Sequence, residues 1–290
     1  GSYELRYIQG QSRNVLASKA LTVLPVEATL EADSEAKSGG ELLVTWTGPG
    51  NRGDYISIAT PEQPGDRQKS YKNASQGSPL TLRVPDEPGR YELRYIQGQS
   101  RNVLTSKALT VLPVEATLEA DSEAKSGGEL LVTWTGPGNR GDYISIATPE
   151  QPGDRQKSYK NASQGSPLTL RVPDEPGRYE LRYIQGQSRN VLTSKALTVL
   201  PVEATLEADS EAKSGGELLV TWTGPGNRGD YISIATPEQP GDRQKSYKNA
   251  SQGSPLTLRV PDEPGRYELR YVQGQSRNVL QRKPLVVKPD

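Results

Sequence analysis

The chain contains neither Cys nor His, which excludes a thiol nucleophile, a Ser-His-Asp triad, a zinc finger and a disulfide. Carboxylate, Lys and Tyr chemistry remains. The most pointed pattern is Arg-Gly-Asp, at Arg52-Gly53-Asp54, Arg140-Gly141-Asp142 and Arg228-Gly229-Asp230, a tripeptide whose carboxylate an adhesion receptor could read. Acidic pairs, Asp33 with Glu35 and Asp86 with Glu87, would suit calcium only if one loop gathered roughly six to eight oxygens, and no loop has that density. Arg101, Arg189 and Arg277 of the "QGQSRN" loops, with Arg90 and Arg94, form either a small basic patch or the solvated face of a sheet paired with Glu92. "NAS" at Asn73, Asn161 and Asn249 matches the glycosylation sequon and reads as an edge-strand turn. Every candidate occurs in triplicate, and no nucleophile, base and oxyanion site can be assembled. No catalytic residue, metal site or cofactor is therefore expected.

The elements that carry these residues are set by repetition. "YELRY" begins at Tyr3, Tyr91, Tyr179 and Tyr267, a spacing of 88 residues (91 − 3). Residues 26–113 and 114–201 are identical, and the third copy departs only at Val272, Gln281, Arg282, Pro284, Val286 and Lys288. Such identity, with an opening Gly1-Ser2 that reads as an expression scar, points to a recombinant or designed array. The expected division is a scar at 1–2, a surplus hairpin at 3–25, and β-sandwich repeats at 26–113, 114–201 and 202–290. Each repeat is long enough for a core of its own.

Within a repeat the apolar period is two. "ELLVTWT" alternates Leu42, Val44 and Trp46 with Leu43, Thr45 and Thr47, and "RYELRYI" alternates Tyr91, Leu93 and Tyr95 with charged residues. Turn formers separate the runs at "KSGG", "GPGNRGD", "PEQPGD", "DEPG" and "QGQSRN". The pattern predicts an all-β chain of tandem seven-strand antiparallel sandwiches, each anchored by one Trp: Trp46, Trp134 or Trp222.

Two stretches resemble a known superfold. "ELLVTWTGPGNRGDYISI" is similar to the second and third strands of fibronectin type III domains, and "LTLRVPDEPGRYELRYIQGQ" to the corner that these share with immunoglobulin-like domains. The resemblance implies that Tyr91, Tyr179 and Tyr267 are tyrosine-corner residues, and that Leu93 holds the place of the immunoglobulin core cysteine. The whole unit also resembles immunoglobulin-like repeats that accompany von Willebrand factor A modules in bacterial envelope proteins, which implies an extracellular or envelope setting for the parent family. In integrin-binding type III domains the Arg-Gly-Asp loop precedes the last strand. Here it lies between the second and third strands, so turn geometry is the favoured reading and adhesion the alternative.

Bodies and hairpins do not balance. Bodies begin at Val26, Val114 and Val202, but hairpins begin at Tyr3, Tyr91, Tyr179 and Tyr267, so one hairpin has no body of its own. Either residues 3–24 are the remainder of a preceding domain, or two hairpins compete for one body and exchange becomes feasible. Leu24, Leu112 and Leu200 each precede Pro and a following body, which predicts apolar contact at every junction, and "LTVLPVEATL" holds no Gly or Ser spacer, which predicts a stiff short rod. With 35 basic and 35 acidic residues and no apolar run near ~18 residues, neither nucleic-acid binding nor membrane insertion is expected, and the chain as given reads as soluble. The expectation is a non-enzymatic spacer, stalk or assembly scaffold whose partners are neighbouring repeats or other copies of itself. The alternative is a module whose "GPGNRGD" or "QGQSRN" loops bind a protein or glycan receptor.

Overall fold

Alternating burial makes the strands. In a computed structural model describing residues 1–289, strand β5 (Glu41–Thr47) points Leu42 and Val44 inward and leaves Leu43 61% exposed. The chain opens with an antiparallel hairpin, β1 (Ser2–Ile8) and β2 (Val15–Thr22). The first repeat comprises β3 (Thr29–Glu31), β4 (Glu35–Lys37), β5, β6 (Tyr55–Ala59), β7 (Ser70–Asn73), β8 (Leu80–Arg83), β9 (Gly89–Ile96) and β10 (Val103–Leu112), with a short 3-10 turn at Ala74–Gln76. The other repeats reproduce this series over residues 117–200 and 205–288. The fold is all-β. Among the described residues no helix is long and apolar enough to cross a membrane.

Each repeat has two sheets, one ordered β3-β5-β8 and one ordered β4-β10-β9-β6-β7. In the first repeat Leu42, Val44, Leu80, Leu82 and Val84 meet Ile56, Ile58, Tyr91, Leu93, Tyr95, Leu109 and Val111 in one core. At ~1.5–3 kcal/mol for each large apolar side chain removed from water, that core is of the size a small domain needs. The other repeats hold equivalent separate cores. The chain divides into two compact units, Gly1–Val114 and the remainder from Glu115.

Four expectations need correction. The stretch "VEATLEADSEAK" forms two short strands, β3 and β4, so a repeat has eight strands instead of seven. The chain leaves the three-stranded sheet after Glu31 and enters the five-stranded one at Glu35, where β4 runs parallel to β10, so the sandwich is not wholly antiparallel. Trp46 is only partly buried and packs at the margin of the core, its indole N–H donating to Gly77 O at 3.0 Å, while Tyr95 is 0% exposed at the centre. Leu24 is 74% exposed, so the predicted apolar contact at the first junction is not made.

Candidate functional site

The loops that hold Arg-Gly-Asp and "QGQSRN" lie side by side at one end of each repeat. Gly53 has φ +91°, and a Cβ on Gly98 would fall 2.4 Å from the Gly53 carbonyl carbon, so the two loops touch only because both residues are glycine. Between them Asp54 is buried. Its Oδ2 accepts from the Tyr95 hydroxyl at 2.9 Å and from Asn51 N at 3.0 Å, and its Oδ1 accepts from Gly98 N at 2.8 Å. Tyr95 Oη in turn accepts from Gly50 N at 2.8 Å. Asp230 is held the same way by Tyr271, Asn227 and Gly274. Thus the Arg of each tripeptide is exposed, while the carboxylates of Asp54, Asp142 and Asp230 are turned into the domain.

Burial drives the electrostatics of this clasp. Desolvation pushes the Tyr95 hydroxyl up to about 12, the Gly50 N–H opposes the rise, and the neighbouring Asp54 carboxylate adds to it. Tyr183 and Tyr271 are raised further, again chiefly by burial. The Asp230 carboxyl is also raised by burial, partly offset by bonds from Gly274, Tyr271 and Asn227, with Asp174 adding to the rise.

Of the arginines read as a basic patch or solvated face, Arg90 is exposed, while Arg94 and Arg101 make structural contacts. Arg94 is 3% exposed; its Nε bonds Glu92 at 2.9 Å, and its remaining nitrogens donate to Gln63 O, Thr60 O and Pro61 O. A planar guanidinium thereby fastens the segment after β6 onto the outer face of the sheet. Arg101 has φ +61° and lies over the Tyr55 ring at 5.6 Å, while Tyr55 donates to Gly65 O. Alternation alone marks Arg94 as solvent-facing, so this role had no signal in the sequence. Tyr91, Tyr179 and Tyr267 donate to the backbone carbonyls of Glu87, Glu175 and Glu263, each at 2.9 Å. Asn73 ends β7 exposed, just before the 3-10 turn. Among the described residues no cluster of acidic side chains could hold a metal ion.

Within the unit from Glu115 onward, the paired loops of the third repeat meet the opposite end of the second. Ser276 N and Gln275 N donate to Asp174 Oδ2 at 2.8 and 2.9 Å, and the Ser276 hydroxyl donates to the same oxygen at 2.9 Å. Gln275 Nε2 donates to Val172 O, Gln273 Nε2 to Ser126 Oγ, and Asn227 Nδ2 to Ser126 O. Gly127 has φ +71°, and a Cβ there would lie 2.6 Å from both Asn227 Nδ2 and Asp174 Oδ1. Asp174 is 3% exposed, whereas the side chain of its counterpart Asp262 is 77% exposed at the uncovered end of the third repeat. Sequence reasoning missed this joint, because Ser126 and Asp174 sit in polar turns whose composition is satisfied equally by water.

No protein-family description and no curated protein matches the chain. Among solved structures, the native conformation of Escherichia coli alpha-2-macroglobulin is 14% identical with a TM-score of 0.24, over 100% of this chain and 26% of that one. The Yersinia pseudotuberculosis adhesin InvE is 16% identical with a TM-score of 0.25, over 66% of each chain. This chain therefore spans about a quarter of the macroglobulin and under two thirds of the adhesin. At these scores neither likeness carries an argument about what the chain does.

Proposed function

We propose that this is a non-enzymatic structural protein, a tandem array of immunoglobulin-like sandwiches that serves as a spacer, stalk or assembly scaffold. The immunoglobulin-like reading is supported by the chain switching sheets between β3 and β4 and by the Tyr91 hydroxyl bonding back to Glu87 O. The observation that carries the functional reading is the joint: the "GPGN" and "QGQS" loops of the third repeat grip Ser126 and Asp174 of the second. A charged acceptor receiving two backbone N–H groups and a hydroxyl is a directional contact, and directional contacts fix an angle between neighbours. Loops engaged in this way hold repeats together instead of facing a receptor. The burial of Asp54, Asp142 and Asp230 weighs in the same direction against adhesion through the tripeptide.

The chain lacks Cys, so two spin labels can be placed without interference. With labels at Glu150→Cys and Glu238→Cys, equivalent exposed sites on the second and third repeats, a single narrow distance distribution is expected. Adding Asp174→Ala should broaden it severalfold. A broad distribution in the parent would remove the stalk reading.

A further inference from the structure

We propose that each repeat carries a saccharide site on the outer face of its five-stranded sheet, shaped for a neutral oligosaccharide of gluco configuration. In the third repeat a groove of about 580 Å3 opens there, bordered by Tyr231, Asp242, Gln244, Tyr247, Asn249 and Arg277. Sites for small molecules run to roughly 300–1,000 Å3, so the volume is adequate. Strand geometry sets the floor. Tyr231 pairs with Asn249 and Ser233 with Tyr247, so all four side chains leave the face opposite Ile232 and Ile234 of the core. Tyr231 is nevertheless only 4% exposed, because its hydroxyl donates to Gly241 O at 2.7 Å and the Arg277 guanidinium lies over its ring at 5.6 Å. Tyr247, on the edge strand Ser246–Asn249, is 55% exposed. It meets Tyr231 edge-on at 67°, with centroids 5.6 Å apart, so the buried ring holds the exposed one at a fixed angle.

The polar side chains around this ring are uncommitted. Among the described residues, the side chains of Asp242, Gln244, Tyr247 and Asn249 form no hydrogen bond within the protein. Gln244 is the most telling, for its Oε1 is buried without a donor, and Gln68 and Gln156 show the same orphan in the other repeats. Buried acceptors are nearly always paired, so an orphan repeated three times needs a reason. The last torsion of a glutamine is soft, and a turn of the amide presents Oε1 to a hydroxyl in the groove. Acceptors on Asp242 and Gln244, an amide on Asn249 and donors on Arg277 suit a ligand dense in hydroxyls, each of which gives and takes a hydrogen bond. The exposed ring, whose face is negative, suits a flat array of C–H bonds. A pyranose with every hydroxyl equatorial has both, since its axial hydrogens form the flat side. Asp242 and Arg277 balance in charge, which favours a neutral sugar over a uronate. A proline-rich peptide fits less well, because it docks in grooves lined with exposed aromatics and here Tyr231 is covered. The groove stays open while the loops beside it grip Ser126 and Asp174 of the second repeat. Tyr71 and Tyr159, 55% and 54% exposed, meet Tyr55 and Tyr143 in the same way under Arg101 and Arg189, which gives three sites per chain.

This inference goes beyond the stalk reading and does not rest on it, since no residue in its test belongs to the joint. Isothermal titration of the full chain with cellohexaose should show three equivalent sites. Tyr71→Ala, Tyr159→Ala and Tyr247→Ala together should abolish binding and leave the urea midpoint little changed, because these rings lie outside the cores. Gln68→Leu, Gln156→Leu and Gln244→Leu together should weaken binding about tenfold, the loss of one hydrogen bond per site, without lowering stability. A glutamine with a structural role alone would show the reverse, an unchanged affinity and a lowered midpoint. Hexagalacturonate should bind more weakly than cellohexaose. No heat with cellohexaose, binding that survives loss of the three tyrosines, or a preference for decaproline or hexagalacturonate would overturn the proposal.

Discussion

At the scale of single residues, three identical tripeptides that invite an adhesive reading turn out to have their carboxylates inside the domain. Asp54 receives three donors, so its removal orphans them, the Tyr95 hydroxyl among them in the fully buried core. Replacing Asp54, Asp142 and Asp230 together by Ala should lower the stability of each repeat by roughly 3 kcal/mol, measured by urea unfolding, since buried unpaired polar groups cost ~1–3 kcal/mol apiece. The companion tyrosines titrate late. Below the ordinary value of 10.0 both folded and unfolded forms of Tyr95 are protonated; above it the unfolded form ionises first, so stability declines as pH rises from 10.0 through about 12. Phenolate absorbance should therefore show Tyr95, Tyr183 and Tyr271 unionised at pH 11 until the fold gives way. Arg94 teaches a related lesson. An arginine in an alternating strand reads as solvent-facing, and only the carbonyls of Thr60, Pro61 and Gln63, distant in sequence, make a buried position tolerable. Arg94→Lys loses the fork and should destabilise the first repeat nearly as much as Arg94→Ala, about 3 kcal/mol by the same measurement.

At the scale of elements, periodicity made β5, β8, β9 and β10 legible, because each buries every second side chain on one face. Strand β6 is buried throughout; its inner face was readable from Ile56 and Ile58, while the cover on its outer face was not. The division of "VEATLEADSEAK" was hidden because each piece is three residues long, too short for any period to show. Strands β1 and β2 were legible because their residues repeat those of β9 and β10, though the register in which they pair was not. One difference in the last strand is tolerated by its surroundings, since the short parallel strand pairs only with Val286, Val287 and Lys288 and leaves Pro284 outside that pairing. Val286 N donates outward to Ser210 O, so two residues earlier Pro284 occupies an outward position where its missing N–H costs no pairing with the neighbouring strand. Pro284→Ala should change unfolding free energy by less than about 0.5 kcal/mol, while the equivalent Leu285→Ala, from the core, should cost ~2–5 kcal/mol.

At the scale of the whole molecule, three cores and an open hairpin fold in one chain with little sequence to tell them apart. Identical neighbours can trade equivalent strands while refolding, as the sequence cannot reject a pairing it also uses natively. Refolding at high concentration should yield more misassembled species for the intact chain than for a variant in which the second repeat is diversified at surface positions. Size-exclusion chromatography across a dilution series would register the difference. The joint between the second and third repeats was the least legible feature, since two of its bonds come from the backbone N–H groups of Gln275 and Ser276 and the rest from side chains in polar turns that water would satisfy equally.

One further consequence lies in the direction of β4. It runs alongside β10 in parallel, with Glu35, Ala36 and Lys37 opposite Thr110, Val111 and Leu112, flanked by bonds from Thr110 N to Ser34 O and from Ser38 N to Leu112 O. The chain enters a repeat through the three residues of β3, passes directly into β4, and leaves just after β10. Tension applied at the two ends therefore drags the strands past each other lengthwise, and the hydrogen bonds between them share the load instead of opening one at a time. Under pulling, each repeat should yield abruptly and at high force, like a lap joint failing in shear.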